Sequence, residues 1–313
     1  MAIITQEMLQ RNNGKNPVQG VILCRNYSIQ LTKTGKEYVQ GELYSGVGVP
    51  FKAWSTSSAF NHLKNEDFSN TPVYISGTFD DYGGTQSIVV DTVQAVSDFN
   101  PEDFLPIKYN IDAYFTALIN LTKSKVSEKA FSLLDKVLFS NQGVAERFKV
   151  EFAAMSHHDN CKGGLLAHTY KVVNNSIFIL NSYQQLTKGS QDYVDLIIVG
   201  ATLHDIGKIF ELNFGNYQPC SVVTHRYLGI ELIQDLKSDI IESYNEKWYY
   251  DLVSIFLQHH GEFDDDYRSL AALIIHKADI LDSEFTSVVT ALENPVHSSA
   301  GDKIKFRDKY LEV

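Results

Sequence analysis

Apolar and polar positions alternate in short runs through the first hundred residues, which is the pattern of half-buried strands. Strands are predicted over 20–33, 37–45 and 49–55, which are rich in aromatic and β-branched residues and separated by TGK and SGVG turns. A polar, helix-like piece (SSAFNHLKNEDF) follows, and two further strands (PVYISGTFDDY and TQSIVVDTVQAVS) meet at the hairpin signal Gly83-Gly84. Five strands with a helical insert after the third predict a small all-β barrel of the OB type.

The pattern changes at NPEDFLPIKYN, whose two prolines indicate a linker. From there, apolar residues recur with the 3.6-residue period of amphipathic helices. Helices are predicted over 111–122, 127–138, 143–155, 165–186, 190–204, 225–236, 248–260 and 269–292. The chain is therefore predicted to have two domains: the barrel (1–98), a linker (99–112) and an all-α domain with a C-terminal extension (113–313).

Composition is that of a soluble globular protein, with 44% hydrophobic and 21% charged residues. No apolar run approaches the roughly 20 residues that span a bilayer, and the N-terminus lacks the features of a signal peptide. Cys24, Cys161 and Cys220 lie far apart without CxxC spacing, which favours free thiols. A cytoplasmic protein with no membrane partner is therefore expected.

The net charge of −11 weighs against tight nonspecific binding to duplex nucleic acid, because proteins that bind nucleic acids tend to be basic. Residues 1–100 contribute −2 to this charge and residues 101–313 contribute −9. Cations bound to carboxylates would offset part of the second share. A short single strand held by stacking and by phosphate–cation contacts is compatible with this charge.

Potential metal ligands recur between residues 168 and 279 in the order H…HD…H…HH…D. They are His168, His204, Asp205, His225, His259, His260 and Asp279. Imidazole and carboxylate groups are the usual ligands of Zn, Mn and Fe. Each residue alone is compatible with a core, capping or surface role, but their order and their places at or near helical faces favour a metal site. Because a metal pair activates water and clamps a phosphoryl group, the set predicts phosphoester hydrolysis.

The HDIGK segment carries the most specific part of this set. An apolar helix ends at His204-Asp205, where Gly207 is expected to break it. Adjacent His and Asp at a helix end can meet one metal, and the two oxygens of Asp205 can bridge two. Lys208 lies four residues after His204, so we expect it on the same face, where it would hold a phosphate oxygen.

Asp279 lies among aliphatic residues in LAALIIHKADILDSEF. A carboxylate in such surroundings is costly unless it is paired or bound to metal. Asp282, three residues later, is the main rival for the same role.

H…HD…D is the signature of the HD-domain phosphohydrolases, an all-α fold, and the added histidines match the subset with two metals. Together with the OB-like strands in front of them, the segments SHH…GGLLAHT, LHDIGK and QHHG resemble the YhaM-type 3′-to-5′ exoribonucleases over nearly the whole chain. The resemblance implies that Asp205 bridges two metals, with His168, His204 and Asp279 on one and His225, His259 and His260 on the other. We expect two divalent ions, Mn²⁺ in first place, with Fe, Co, Ni and Zn also compatible with mixed His/carboxylate ligands.

The predicted function is hydrolysis of the terminal phosphodiester of single-stranded RNA, or also of single-stranded DNA, with 3′-to-5′ polarity implied by the resemblance alone. The nucleophile would be a hydroxide shared by two metals about 3.5–4 Å apart, with Asp205 and Lys208 as catalytic residues. The barrel would bind nucleic acid through aromatic platforms near Arg25, Lys33, Lys36 and Lys52. The candidate platforms are Tyr27, Tyr38, Phe51 and Trp54. A place in the barrel core is the alternative for each of them.

Two other functions are compatible with the sequence. A phosphohydrolase of a cyclic nucleotide or another small nucleotide would use the same metal site but would leave the barrel without a task. A noncatalytic binding module with a vestigial metal domain conflicts with the complete ligand set. The oligomeric state is open, a homo-oligomer included.

Overall fold

The computed structural model describes residues 1–10, 15–82, 85–105, 108–154, 159–187, 189–261, 268–293, 303–306 and 309–312. The chain divides into two compact units, Met1–Pro106 and Ile107–Val313. The first is a closed β-barrel and the second is helical, which confirms the predicted fold class. Among the helices of these ranges, none is long and apolar enough to cross a membrane.

The first unit is built from five strands and two short helices. Their bounds are α1 Gln6–Gln10, β1 Pro17–Leu31, β2 Glu37–Tyr44, β3 Gly48–Trp54, α2 Ser58–Asn65, β4 Thr71–Tyr82 and β5 Thr85–Ala95. The strands close in the order β1-β2-β3-β5-β4, with β1 antiparallel to β2 and β4, and β3 parallel to β5. This is the strand order of the predicted OB-type barrel. The glycine pair of the predicted β4–β5 turn, Gly83-Gly84, lies outside the described residues.

The stretch after β5 packs on the barrel, although its prolines indicate a linker. Pro101–Phe104 form a 3₁₀ turn, and the carbonyl of Phe104 accepts a hydrogen bond from the Gly46 N–H at 2.8 Å. The ring of Phe104 is 2% exposed and lies 6.2 Å from that of Phe99. Burial of these apolar groups stabilises the packed arrangement over an extended linker.

Helices and two small hairpins make up the second unit. Its elements are α3 Ile111–Lys125, α4 Glu128–Leu134, α5 Gln142–Val150, α6 Gly164–Ser182, α7 Gln191–Leu203, α8 Lys208–Glu211, β6 Leu212–Asn213, β7 Asn216–Tyr217, α9 Thr224–Gln234, α10 Lys237–Ser243, α11 Glu246–Gln258, α12 Leu270–Glu293, β8 Lys303–Phe306 and β9 Lys309–Glu312. Buried aliphatic and aromatic side chains from α3 to α12 form one continuous core. This core fixes the helices from which the candidate ligands project.

Helix α5 is shorter than its apolar pattern predicts, ending at Val150 instead of continuing to 155. Glu151 adopts an extended conformation (φ −71°, ψ 157°), and its carboxylate is fully buried. That carboxylate accepts hydrogen bonds from the backbone N–H groups of Phe152 and Gly215 and pairs with Arg147 at 2.7 Å. The tertiary contacts of one buried acid therefore end the helix. In addition, α10 forms where the pattern predicts no helix.

Candidate metal centre

The predicted ligands project from five separate helices. His168 lies in α6, His204 caps α7 and is followed by Asp205, His225 lies in the first turn of α9, His259 caps α11 and is followed by His260, and Asp279 lies in α12. The structure brings all seven together in two groups. Within each group, one ligand atom per residue lies within 4.8 Å of the others: Asp205, His225, His259 and His260 form one group, and His168, His204 and Asp279 form the other.

Asp205 lies between the two groups and presents one carboxylate oxygen to each. Its Oδ2 lies 3.4 Å from Nε2 of His168 and 3.5 Å from Nε2 of His204. Its Oδ1 lies 3.4 Å from Nε2 of His225 and 3.5 Å from Nε2 of His259. A carboxylate in this position can bridge two cations.

The ligand atoms are arranged to bind a cation and not to form hydrogen bonds with one another. Oδ1 of Asp205 and Nε2 of His204, His225 and His259 are buried, and no described residue is their hydrogen-bond partner. A buried polar atom without a hydrogen bond destabilises the folded state by about 1–3 kcal/mol. Four such atoms in one centre therefore need an explanation. Two ligands about 2.1 Å from one metal, at the usual coordination angles, lie roughly 3–3.5 Å apart. The observed separations of 3.4–3.5 Å agree with that arrangement.

Backbone carbonyls behind two rings fix which nitrogen faces the site. Nδ1 of His204 donates to the carbonyl of Ala201 at 2.9 Å, and Nδ1 of His259 donates to that of Phe256 at 3.0 Å. Each ring therefore keeps the Nε2 lone pair that a metal requires. Burial lowers the pKa of His204 and lowers that of His259 to about 3, so both rings are neutral at neutral pH.

Carboxylates lie behind the rings of His168 and His225. Nδ1 of His168 lies 2.6 Å from Oδ2 of Asp282, and Nδ1 of His225 lies 2.9 Å from Oε2 of Glu211. The sequence singles out Asp282 only as a rival of Asp279, and it gives Glu211 no role. A signal was nevertheless present, because each of these carboxylates lies about one helical turn after a candidate residue.

Acidic groups outnumber basic ones around the ligands. The carboxylates of this network are Asp159, Asp205, Glu211, Asp279 and Asp282, and its ammonium groups are Lys171 and Lys208. Burial raises the pKa of Asp205, but the charges of Lys208 and the neighbouring histidines outweigh burial and hold it well below its usual value. With the histidines neutral, as metal ligands are, the five carboxylates and two ammonium groups among the described residues leave an excess of three negative charges, which two divalent cations would reverse.

Lys208 contacts the bridging carboxylate. Its Nζ donates to Oδ2 of Asp205 at 2.7 Å and to the backbone carbonyl of Ala153 at 2.8 Å. The side chain is 17% exposed. An ammonium group has three donors, so these two bonds leave one for another acceptor.

Gly207 serves close approach rather than helix breaking, which corrects the expectation from HDIGK. Its backbone is right-handed (φ −62°, ψ −16°). A Cβ at this position would lie 1.9 Å from the carbonyl oxygen of His225 and 2.7 Å from the backbone nitrogen of Gly229. Glycine therefore lets the HDIGK turn lie directly against α9, which brings Asp205 and His225 to one site.

The four aromatic residues predicted to bind nucleic acid occupy different environments. Phe51 is 1% exposed inside the barrel, so it is a core residue and not a platform, which corrects that prediction. The hydroxyl of Tyr27 donates to the carbonyl of Glu66 at 2.7 Å, and its ring packs on the barrel core. Tyr38 and Trp54 pair across β2 and β3 on the outer face, with ring centroids 5.2 Å apart. Trp54 is 40% exposed.

The family described as HD domain matches residues 165–284, a range that includes every ligand of the centre. Residues 165–284 of the helical unit are therefore an HD domain of the phosphohydrolase type. The chain is also similar to the 3′-5′ exoribonuclease YhaM of Halalkalibacterium halodurans, with 26% identity over 263 residues that cover 77% of this chain and 75% of that protein. This similarity confirms the predicted resemblance to the YhaM-type enzymes.

Solved structures with similarity to part of the chain include two single-stranded-DNA-binding proteins. One is a chain of a replication protein A heterotrimer bound to ssDNA, with 22% identity, coverage of 26% of this chain and 58% of that chain, and a TM-score of 0.21. The other is the mitochondrial single-stranded DNA binding protein Rim1 of S. cerevisiae, with 11% identity, coverage of 28% of this chain and 100% of that chain, and a TM-score of 0.24. The OB-type fold of the first unit rests on its own strand order.

Proposed function

We propose that the chain is a metal-dependent 3′-to-5′ exoribonuclease that hydrolyses the terminal phosphodiester of single-stranded RNA. The observation that carries this proposal is the position of Asp205, whose two oxygens face two separate groups of ligands. Two divalent cations in these groups, with Mn²⁺ proposed first, would lower the pKa of a water and neutralise charge on the phosphodiester. The similarity to YhaM, named as a 3′-5′ exoribonuclease, supports the substrate and the polarity.

The ligands divide by the oxygen of Asp205 that they face. His168, His204 and Asp279 would hold one cation, and His225, His259 and His260 would hold the other. Asp205 would serve both. Because the rings of His204 and His259 are fixed by backbone carbonyls, they would hold their cations without reorienting.

Lys208 is proposed to bind a non-bridging oxygen of the scissile phosphate. Its bonds to Asp205 and Ala153 fix the ammonium beside the bridging carboxylate and use two of its three donors. The third would stabilise the negative charge that develops on phosphate oxygens during hydrolysis.

The barrel is proposed to bind the single strand upstream of the reacting end. Tyr38 and Trp54 form an aromatic pair on the outer face of β2 and β3. Stacking of bases on such rings is tolerant of sequence and contributes about 1–3 kcal/mol per base. The cytoplasmic location stays a prediction, and the oligomeric state stays open, a homo-oligomer included.

An assay of 5′-labelled single-stranded RNA with Mn²⁺ tests the proposal. We expect successive shortening from a free 3′ end, release of mononucleotides, and no reaction on a 3′-blocked strand. Asp205→Asn, which preserves shape but removes the bridging charge, should abolish turnover without changing the circular dichroism spectrum. Turnover by this variant would contradict the proposed site. Hydrolysis of cyclic dinucleotides without RNA degradation would instead support a small-nucleotide phosphohydrolase.

A further inference from the structure

In each group of ligands, a carboxylate of the described residues lies behind a histidine. His168, which faces Oδ2 of Asp205, has Asp282 behind it at 2.6 Å. His225, which faces Oδ1 of Asp205, has Glu211 behind it at 2.9 Å. A carboxylate behind a ligand ring fixes its orientation and raises its basicity more than a neutral carbonyl does. The two groups can therefore be tuned separately from outside the ligand shell.

Asp282 is held in place by further polar contacts. Its Oδ1 accepts hydrogen bonds from Nζ of Lys171 and Oγ1 of Thr286, both at 2.9 Å. Nζ of Lys171 also donates to Oγ1 of Thr286 and to Oδ2 of Asp159, each at 2.8 Å. The three donors of the ammonium are thus all used, and the carboxylate behind His168 has a fixed position and a compensating charge.

Lys171 also fills a place that would otherwise resemble a third cation site. Asp159, His168 and Asp282 present ligand atoms within 4.8 Å of one another. The ammonium of Lys171 already pairs with both carboxylates of this set. Asp159 in turn accepts a short hydrogen bond from the hydroxyl of Tyr109. The arrangement is therefore a closed ionic network behind His168.

We propose that Asp282 with Lys171, and separately Glu211, are positioning residues that each set the metal affinity of one group of ligands. Asp282 and Lys171 act through His168 on the group that includes His204 and Asp279. Glu211 acts through His225 on the group that includes His259 and His260. This inference rests on the proposed two-metal site but concerns binding, so it is tested without turnover.

Occupancy of each group by Mn²⁺ is the measurement. Equilibrium dialysis followed by elemental analysis gives the stoichiometry and affinity, and anomalous scattering from Mn²⁺-soaked crystals assigns the ion to a group. We expect Asp282→Asn and Lys171→Met to weaken Mn²⁺ binding about 10–100-fold at the His168 group while the His225 group keeps its affinity. Glu211→Gln should do the reverse, so the two classes of variant control for each other.

Asp195→Asn is the control for a purely structural effect. Asp195 is fully buried and accepts hydrogen bonds from the Ser127 N–H at 2.8 Å and from Gln191 and Tyr244 at 2.9 Å, but it touches no ligand. This variant should lose thermal stability and keep both Mn²⁺ affinities. Lys171→Arg, which keeps the positive charge, should recover part of the affinity lost in Lys171→Met.

Unchanged Mn²⁺ affinity in Asp282→Asn and Glu211→Gln would overturn the inference. An equal loss of Mn²⁺ affinity at both groups in every destabilised variant, including Asp195→Asn, would also overturn it. The proposed function fails by a different result: wild-type protein that holds two Mn²⁺ ions but degrades no RNA. In that case the positioning roles would stand. Wild-type protein that binds no divalent ion would overturn both.

Discussion

His168 shows how neighbouring charge can outweigh burial for a single side chain. Burial lowers its pKa, but contacts with Asp205, Asp279 and Asp282 raise it well above the usual value. A cation at this position therefore has to displace a proton. The same carboxylates stabilise a proton on His168 and a cation bound beside it, because both are positive charges in a negatively charged site.

The three cysteines differ in environment, and their reactivity should differ accordingly. Burial raises the pKa of Cys24 to about 12 and that of Cys161 to about 11, whereas Cys220 is partly exposed. Because the thiolate is the reactive form, a disulfide reagent at pH 8 should label one thiol in the folded protein and three in denaturant. Cys220→Ser should remove the fast reaction. Rapid labelling of a second thiol in the folded state would contradict the assigned burial.

On β3, the parity of residue positions separates core from surface. Phe51 shares its parity with the buried Val49 and Ala53, whereas Trp54 shares its parity with the partly exposed Lys52. Alternation along a strand thus carried the signal that Phe51 points inward. The prediction of Phe51 as a platform considered only that the residue is aromatic and did not use its position in the alternation along the strand.

Among the contacts between elements, that between the HDIGK turn (residues 204–208) and α9 matters most for the metal centre. Gly207 has backbone atoms of α9 within 1.9–2.7 Å of the place where a Cβ would be, so any side chain has to push the two segments apart. The displacement would move His225 away from Asp205, since both are fixed to these segments. Local sequence shows a glycine but does not show which element it faces.

Gly207→Ala should therefore destabilise the fold by about 1–3 kcal/mol or more, as overpacking does, and should weaken Mn²⁺ binding at the His225 group. Urea denaturation and metal analysis measure the two effects. Gly143→Ala in the first turn of α5 is the matched control, because no described atom outside its chain neighbours and its own helix backbone lies within 4 Å of its Cβ position. The control should be neutral or more stable by up to about 1 kcal/mol. A Gly207→Ala protein with wild-type stability and Mn²⁺ binding would refute the close-approach argument.

At the scale of the whole molecule, the charge is negative and unevenly distributed along the sequence. Of the net −11, residues 101–313 contribute −9. The carboxylates of the metal centre account for part of that share. On the barrel, Arg25 is paired with Glu42 at 3.4 Å and Lys64 with Glu37 at 2.5 Å, so these two cations are less available to phosphates.

RNA binding should therefore depend only weakly on salt. Each phosphate neutralised on a single strand contributes about −0.7 to the slope of log K against log salt, so we expect a slope between about −0.7 and −2. Fluorescence anisotropy with Asp205→Asn protein measures binding without turnover. Lys52→Ala should make the slope shallower by about 0.7, whereas Trp54→Ala should weaken binding at every salt concentration without changing the slope.

Lys247→Ala is the control for a change of net charge alone, because Lys247 is 81% exposed and paired with Asp251 in the helical unit. It should leave both affinity and slope unchanged. A steep slope in the wild type, or one that Lys247→Ala changes as much as Lys52→Ala, would show that overall charge and not stacking on the barrel controls binding.

Local patterns in the sequence were enough to predict the secondary-structure elements and the chemical types of the ligands. Strand alternation and helical periodicity are local properties, so they placed the five barrel strands and most helices within a few residues. The order of the histidines and aspartates can also be read without a structure, because the identity of a residue decides which ligand atoms it can offer. Even so, the boundary of α5 depended on the long-range contacts of Glu151, and no local pattern reports such contacts.

Which atoms meet depends on long-range packing and is visible only in the folded chain. It assigned each oxygen of Asp205 to a different group of ligands, and it placed Asp282 behind His168 instead of beside Asp279. It also showed that Gly207 permits the approach of α9. The physical reason is the same in each case: side chains from helices far apart in sequence converge through packing of a shared core, and the direction in which each one points is fixed by that packing.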